Sequence, residues 1–285
     1  GFTAFMGDPS VYDTCFYASG CVVGATYNVE LAYAMGEMVG NEGLIGNERG
    51  DGTPYSGWYA PAVNIHRSPF SGRNWEYYSE DGYLSGIMAS WVIRGAKSKG
   101  VYTYVKHFAL NDQETNRSNN GILVWANEQA MREIYLRPFE LTVKEGKTTA
   151  MMSSFNRIGK TWAGGSYELL TEVLREEWGF EGMVITDYNY ATPYMKVDQM
   201  IRAGGDLNLS QANFPSSEES ATQVTALRNA TKNILYTVAG SNAMNGLGPG
   251  VKYKYVTAAW KKWLIALNII VACLLYTSDA ADDLT

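Results

Sequence analysis

Short apolar or β-branched runs alternate with longer helical stretches between residues 27 and 240 of the chain. This alternation is typical of βα units arranged around a parallel sheet. The runs with strand character cover residues 58–65, 101–105, 148–153, 183–186 and, more weakly, 206–209. The clearest helix is predicted to begin after Ser166, a good N-cap residue, and to end before Gly179.

Polar residues follow four of these runs closely, namely His66-Arg67, Lys106-His107, Ser153-Ser154 and Asp187. In a (β/α)8 barrel, the carboxyl ends of the strands form the face that carries the active site. The pattern therefore predicts an α/β fold, a (β/α)8 TIM-like barrel, and an enzyme rather than a binding module. Only about seven of the eight βα units fit before Leu247, so we expect the barrel to be incomplete at its N-terminus.

The barrel is predicted to cover residues 1–247, followed by a linker at 248–259, a candidate membrane helix at 260–276 and a tail at 277–285. Asn268 is the single polar residue between Trp263 and Tyr276. A spanning helix needs about 20 apolar residues, so a membrane helix and a buried or interfacial helix both stay open. The end of the chain resembles the translation of a sequencing adapter, and no function is inferred from residues 274–285.

The composition excludes several classes of function. The 23 Lys and Arg residues stand against 29 Asp and Glu, a formal charge of −6 without a dense basic cluster, which gives no electrostatic footprint for nucleic acid. Two histidines and three cysteines provide neither a His-rich metal site nor a disulfide framework. We therefore expect no nucleic-acid partner, no metal and no cofactor.

Carboxylates, basic groups and aromatic rings at strand ends suit a sugar site. Cleavage of a glycosidic bond needs one carboxylate at the anomeric carbon and a second carboxyl group that protonates the leaving oxygen. Asp187 is the natural candidate for the first role because it follows a buried strand. Taken alone, an aspartate at a strand end serves as well as a helix cap.

Four blocks of the sequence, in order and at family spacing, resemble glycoside hydrolase family 3. They are GWYAPAVNIHRSPFSGRNWEYYSED (57–81), VKHFALNDQETNR (105–117), REIYLRPFE (132–140) and LREEWGFEGMVITDY (174–188). The resemblance covers roughly residues 1–247. It implies a retaining, exo-acting glycosidase, in most members a β-glucosidase, which releases terminal non-reducing β-D-glucosyl residues through a covalent glycosyl-enzyme intermediate.

The resemblance also implies roles for individual residues. It assigns the nucleophile to Asp187 and the binding of sugar hydroxyls to Arg73 and the Lys106-His107 pair. Apart from the family, Lys106 is expected to be a solvated strand end and His107 a core histidine. Arg73 is then the ion-pair partner of Glu76 or Glu80, a role compatible with sugar binding. Adjacent residues of a strand point to opposite faces, so both members of the pair reach one sugar only where the backbone bends.

The chain departs from the family pattern at several substrate-binding positions. The aspartate that grips the terminal sugar falls on Thr3, with Asp8 as the nearest carboxylate. A neutral hydroxyl cannot make the charge-assisted bonds of an aspartate, so affinity and sugar preference are expected to differ. The tyrosine after the M-x-S strand is Phe155, and the tryptophan after the nucleophile is Tyr188, which keeps an aromatic face.

The acid/base of the family usually lies in a separate α/β sandwich domain, which some members carry ahead of the barrel. We expect this partner domain upstream in the native chain and the acid outside these residues. Lys252, Lys254, Lys261 and Lys262 precede the apolar segment, which favours a cytoplasmic barrel, membrane-associated through the C-terminal helix.

Two other readings stay open. One keeps the enzyme class with a β-xyloside or α-arabinofuranoside as substrate. The other is a non-catalytic sugar-binding membrane protein.

Overall fold

The computed structural model describes residues 15–46, 55–117, 121–190, 192–211, 220–248, 250–252, 254 and 256–282. The chain divides into two compact units, Gly1–Leu247 and Gly248–Thr285. The strands are β1 (Gly57–Trp58), β2 (Tyr102–Phe108), β3 (Leu123–Val124), β4 (Ala150–Ser153), β5 (Arg157–Ile158), β6 (Thr161–Trp162) and β7 (Met183–Thr186). The α-helices are α1 (Gly20–Ala25), α2 (Val29–Ile45), α3 (Gly82–Lys97), α4 (Glu128–Ala130), α5 (Arg137–Lys144), α6 (Val197–Ala203), α7 (Ala221–Ala239), α8 (Asn242–Asn245) and α9 (Ala259–Asp282). Wider π-helical turns form Met131–Tyr135 and Glu168–Glu177, and Ala163–Gly165 is a short 3-10 helix.

The main sheet is parallel, with strand order β1-β2-β4-β7. Single parallel bridges extend it at both edges, from Ala62 to Lys106 and from Leu207 to Ile185. Helices connect the strands, as predicted for βα units, and the predicted strand 183–186 is confirmed residue for residue. Within the described residues the main sheet has four strands, and a small second sheet has the order β3-β5-β6, with β5 and β6 following β4 along the chain.

The predicted strand at 58–65 is wrong as one continuous element. Only Gly57–Trp58 forms a strand, and contact with β2 resumes at Ala62. Pro61 explains the interruption, because its ring nitrogen has no hydrogen to donate to the ladder. Its carbonyl oxygen still accepts a hydrogen bond from the backbone N–H of Lys106, at 3.1 Å, so this stretch stays beside the sheet.

Strand β2 does not end at Val105 as predicted but continues to Phe108, with an irregularity in between. Val105 pairs with Met151, whereas Phe108 pairs with Ser153, so three steps on β2 match two on β4. Val105 and Phe108 consequently join the same core cluster, although residues three apart on a regular strand face opposite sides. The extra residue lies in the Lys106-His107 stretch.

The helix Glu168–Glu177 confirms the predicted helical stretch. The backbone N–H of Leu169 donates to Ser166 Oγ at 3.3 Å, and Gly179 has a φ of 74°. The buried residues of this helix are Leu169, Leu170 and Leu174. The helix precedes β7 along the chain, with residues 178–182 between them.

Helix α9 forms the second unit and confirms the predicted apolar helix. Its stretch Ala259–Thr277 has a mean hydropathy of 1.5, and none of it is buried. By length and composition this stretch is sufficient to cross a membrane.

Candidate active site

Asp187 follows β7 directly and is the centre of a cluster of charged side chains. Its side chain is 12% exposed. Oδ1 accepts a hydrogen bond from the backbone N–H of Tyr188 at 2.7 Å, and Oδ2 accepts one from Arg117 Nη1 at 3.2 Å. The backbone N–H of Asp187 itself donates to Ser153 O at 3.0 Å, which ties the carboxylate-bearing residue to the end of β4.

Two opposing effects set the protonation of Asp187. Burial raises the pKa of Asp187 above its ordinary value of 3.8, because the charged form is removed from water. The guanidinium of Arg117 lowers the pKa and so opposes this rise, with smaller contributions from the backbone N–H of Tyr188 and from Lys106 and Arg73. These groups favour the charged carboxylate, whereas burial disfavours it.

His107 lies beside Asp187 and is neutral. Burial lowers the pKa of His107 well below 6.5, and the nearby cations Arg73, Lys106 and Arg117 lower it further. The distance of 3.7 Å between His107 Nε2 and Asp187 Oδ2 is consequently not an ion pair. Arg73 Nη1 lies 3.3 Å from Nε2, and since a guanidinium only donates, Nε2 is assigned as the acceptor and Nδ1 as the protonated nitrogen.

Asn64 holds the backbone of His107 in place. Its side-chain Oδ1 accepts the His107 N–H at 2.7 Å, and its Nδ2 donates to the His107 carbonyl at 3.0 Å. These two bonds replace ladder bonds where β2 leaves regular pairing. The predicted bend at the Lys106-His107 pair is therefore present, but inside the strand rather than at its end.

Ion pairs with two glutamates connect Arg73 and Lys106 to the cluster around Asp187. Glu76 pairs with Arg73, and Lys106 Nζ lies 2.7 Å from Glu76 Oε1. Although burial raises the pKa of Glu76, Lys106 and Arg73 together hold it below its usual value. Glu114 contacts Arg117 Nε at 2.5 Å and Arg73 Nη1 at 3.8 Å, which closes a network of three cations and three carboxylates.

Aromatic rings form one side of the site. The Arg117 guanidinium lies 4.4 Å from the ring centroid of Phe155, which is 2% exposed. Tyr188 packs in the same apolar group as Phe155. The Tyr194 hydroxyl links the segments that carry Arg117 and Phe155. It donates to the Arg117 carbonyl at 3.2 Å and to the Phe155 carbonyl at 3.0 Å.

The structure thus brings together Asp187, Arg73, Lys106, His107, Phe155 and Tyr188 of the predicted site residues. Thr3 and Asp8 lie outside the described residues. His66 follows a predicted strand but serves its own loop, with Nε2 2.8 Å from Asn74 O. No group of three or more His, Cys, Asp or Glu side chains in the described part of the chain is placed to hold a metal ion.

Four residues of the site are not assigned to it by the sequence, although Glu76 is one of the two expected ion-pair partners of Arg73 and does pair with it. Arg117 contacts the central carboxylate, Glu76 and Glu114 link the cations, and Asn64 holds His107. All four lie inside the family-like blocks 57–81 and 105–117, which was the available signal. Arg117 is separated from Asp187 by 70 residues, so spacing alone does not pair them.

Chemically, the cluster places a buried carboxylate beside three cations and a neutral imidazole. Such a carboxylate is able to attack or stabilise a positive carbon centre, while arginine and lysine N–H groups bind hydroxyls around it. The apolar group of Phe155, Tyr188 and Tyr194 adds aromatic rings beside these charges.

Comparison with known proteins supports the same chemistry. The model of the glycosyl hydrolase family 3 N terminal domain matches residues 12–238. Beta-glucosidase A of Butyrivibrio fibrisolvens is 39% identical over 200 residues, which are 70% of this chain and 22% of that protein. A beta-glucosidase of Ruminococcus albus is 36% identical over 199 residues, 65% of this chain and 21% of that protein. The chain therefore spans about a fifth of the length of these curated relatives.

Solved structures of similar proteins agree. Beta-glucosidase 3B from Thermotoga neapolitana in complex with alpha-D-glucose matches with a TM-score of 0.71 and 32% identity, covering 84% of this chain and 34% of that one. The GH3 beta-glucosidase of Bifidobacterium adolescentis matches with a TM-score of 0.72 and 30% identity, over 87% and 36% of the two chains. The predicted TIM-barrel-like α/β fold is confirmed. Because the family model covers most of its length and these structures share its fold, the chain belongs to glycosyl hydrolase family 3.

Proposed function

We propose that this protein hydrolyses terminal non-reducing β-D-glucosyl residues of oligosaccharides or glycosides, with Asp187 as the nucleophile. The observation that carries the proposal is the buried carboxylate of Asp187 after β7, held by Arg117 and surrounded by hydroxyl-binding cations. The similar proteins that carry the name beta-glucosidase favour glucosides over xylosides and arabinosides. They equally favour an enzyme over a non-catalytic sugar-binding protein.

In the proposed reaction, an oxygen of Asp187 attacks the anomeric carbon while the bond from that carbon to the leaving oxygen breaks. A general acid gives the leaving oxygen its proton, so a free alcohol departs and a covalent glycosyl-enzyme remains. Water then attacks the same carbon and gives its proton to the conjugate base. Asp187 leaves as a carboxylate, and the sugar retains its configuration.

Arg73, Lys106 and His107 are proposed to bind hydroxyls of the sugar. The Lys106 ammonium has three N–H donors and contacts Glu76, and the guanidinium of Arg73 bridges Glu76 and Glu114. Lys106 and His107 are adjacent on β2 and Arg73 lies on the segment after β1, and the ion pairs with Glu76 and Glu114 hold the Arg73 and Lys106 side chains in place. Thr3 and Asp8 complete the proposed sugar contacts.

The general acid is proposed to come from an α/β sandwich domain outside these residues. An acid needs a pKa raised toward neutrality, and a retaining mechanism places it about 5–5.5 Å from the nucleophile. Glu76 and Glu114 are the glutamates that pair with the cations around Asp187, whereas Asp112, whose pKa is raised to about 7 by burial, accepts a hydrogen bond from the Ile65 N–H. Both glutamates are paired with cations, and the pKa of Glu76 is lowered, which is the opposite of what an acid requires.

A cytoplasmic barrel, membrane-associated through α9, is the proposed location. Support comes from the exposed apolar length of Ala259–Thr277 and from the lysines that precede its apolar core, with Trp260 and Trp263 as interfacial residues. A reporter active only in the cytosol, fused to the barrel of the full-length protein, tests this placement. An inactive reporter, with intact protein in the membrane fraction, would contradict it.

The nucleophile is tested by Asp187→Ala in the full-length protein. Turnover of a β-glucoside should fall by several orders of magnitude with the fold intact, because stabilisation at the anomeric carbon is lost. Glu177→Gln, an exposed carboxylate on an outer helix, is the matched control and should keep full turnover. A 2-deoxy-2-fluoro-β-glucoside should label Asp187, and mass spectrometry that locates the label on another residue would overturn the assignment.

A further inference from the structure

Tyr194 lies on the segment between β7 and α6, after the last of the four family-like blocks. Its backbone belongs to a short turn, in which the N–H of Met195 donates to the carbonyl of Thr192 at 3.1 Å. Asn189 Oδ1 accepts the N–H of Thr192 at 3.1 Å and so ties this turn to the chain that follows Asp187. The backbone of Tyr194 is therefore held without help from its side chain.

The ring of Tyr194 is held by side chains of the small second sheet. Trp162 of β6 meets it edge to face, with ring centroids 6.4 Å apart and planes at 78°, and the Arg157 guanidinium of β5 lies 4.8 Å from its centroid. Gly121 comes so close that a Cβ there would lie 3.0 Å from Tyr194 Cζ. These contacts fix the direction in which the hydroxyl points.

The hydroxyl of Tyr194 is shared between two backbone carbonyls of different segments. It lies 3.2 Å from the Arg117 oxygen and 3.0 Å from the Phe155 oxygen, and its one proton serves both. Burial raises the pKa of Tyr194 to about 12, although Arg157 and Arg117 oppose the rise. The hydroxyl therefore stays a donor at acidic and neutral pH.

Both carbonyls belong to residues that hold the carboxylate of Asp187. Arg117 Nη1 lies 3.2 Å from Asp187 Oδ2, and the same guanidinium lies 4.4 Å from the ring centroid of Phe155. The Tyr194 hydroxyl thus fixes the backbone of Arg117 relative to the ring on which its guanidinium rests. Loss of the hydroxyl would leave both carbonyls without this donor.

We infer that Tyr194 is a positioning residue of the proposed reaction, whose hydroxyl holds Arg117 so that the guanidinium stays on Asp187. The inference rests on the proposed function and adds a residue that acts on the nucleophile through Arg117. A nearby guanidinium favours the charged form of a carboxylate. A less well placed Arg117 therefore leaves a larger share of Asp187 protonated at acidic pH.

The test is the acidic limb of the kcat/KM profile of the full-length enzyme with p-nitrophenyl β-D-glucopyranoside. Tyr194→Phe keeps the ring with its contacts to Trp162 and Arg157, and removes only the hydroxyl. It should move the limb to higher pH and lower kcat/KM at acidic pH about two- to tenfold. The amino acid p-aminophenylalanine at position 194 keeps an N–H donor and should retain the limb of the unmodified enzyme.

A double variant tests whether the effect passes through Arg117. In an Arg117→Gln enzyme, Tyr194→Phe should move the acidic limb no further, because the guanidinium on which the hydroxyl acts is already gone. Tyr236→Phe is the matched control. It removes an exposed hydroxyl that contacts Glu181 at 3.1 Å, before β7, and should leave the whole profile unchanged.

The outcomes separate this inference from the proposed function. An unchanged acidic limb in an active Tyr194→Phe enzyme, or shifts that add in the double variant, would overturn the inference alone. The same shift with p-aminophenylalanine as with phenylalanine would also overturn it. A full-length protein that turns over no β-glucoside would contradict the proposed function and the inference together.

Discussion

At the scale of single residues, the charge of Asp187 is balanced between burial and one guanidinium. Burial raises the pKa of Asp187, and Arg117, 3.2 Å from Oδ2, is the strongest group that lowers it. Arg117 is itself positioned by Glu114 and by the ring of Phe155. The pKa of the proposed nucleophile is therefore lowered most by a residue to which the proposed reaction assigns no chemical step.

We expect Arg117→Gln to move the acidic limb of the kcat/KM profile of the full-length enzyme to higher pH. The reaction needs ionised Asp187, and loss of the positive charge raises its pKa further, so a larger share is protonated at any given acidic pH. Arg117→Lys keeps the charge and should shift the limb less. Equal acidic limbs for the Gln variant and the unmodified enzyme would contradict the role of Arg117.

The sequence predicts Asp187, Arg73, Lys106 and His107 because they stand in blocks with family spacing. It does not predict the ion pairs between them. Glu76 and Lys106 lie on different segments and meet only because the strand order places those segments side by side. Pair geometry of this kind depends on the fold as a whole, whereas motif spacing records only positions along the chain.

At the scale of elements, β7 is fixed at its entry by a buried network around Asp206. Asp206 Oδ2 accepts the N–H of Val184 at 2.6 Å and contacts Arg175 Nη2 at 2.8 Å, while Oδ1 accepts from Asn233 Nδ2 at 2.9 Å. The network joins β7, the helix Glu168–Glu177 and α7. Burial raises the pKa of Asp206 to about 6, which leaves it ionised at pH 7 and paired with Arg175.

Asp206→Ala should destabilise the protein by about 3–5 kcal/mol at pH 7, because it leaves the largely buried Arg175 without its carboxylate. Glu177→Ala removes half of an exposed pair with Arg132 and should change stability by about 1 kcal/mol or less. Chemical denaturation of both full-length variants, followed by tryptophan fluorescence, measures the difference. Similar unfolding midpoints for the two variants would contradict a larger contribution of the buried Asp206–Arg175 pair to stability.

Elements with a strong pattern are predicted well, and short ones are not. All four residues of the run 183–186 are buried and its first three are apolar, and the sequence places it correctly. Strands β3, β5 and β6 have two residues each, too few for a periodicity to develop. The proline that breaks the strand at Pro61 is visible in the sequence. The hydrogen bond that the Pro61 carbonyl accepts from the Lys106 N–H depends on tertiary contact and is not.

At the scale of the whole molecule, the proposed reaction needs two carboxyl groups, and one of them, Asp187, is assigned within this chain. The chain spans about a fifth of the length of the curated relatives, and Glu76 and Glu114, which share cations with Asp187, are themselves paired with those cations. Binding of the sugar and nucleophilic attack are therefore proposed functions of these residues. Protonation of a poor leaving group is proposed as the function of another domain.

The isolated 285-residue chain should consequently hydrolyse cellobiose far more slowly than the full-length protein. An unactivated sugar leaving group requires protonation, whereas an activated aryl group departs with less help. The comparison is made at equal concentration of protein, with circular dichroism as the control for folding. Cellobiose turnover by the folded chain at the full-length rate would place the acid within these residues.

The irregularity in β2 makes the number of residues between Val105 and Phe108 structurally important. Val105 and Phe108 both face the core because one extra residue separates them, and Lys106 and His107 occupy the interval. Removing one residue there would restore regular alternation and turn the following side chains to the wrong side. We therefore expect that, as related sequences diverge, this interval accepts exchanges of residue type far more readily than any gain or loss of a residue.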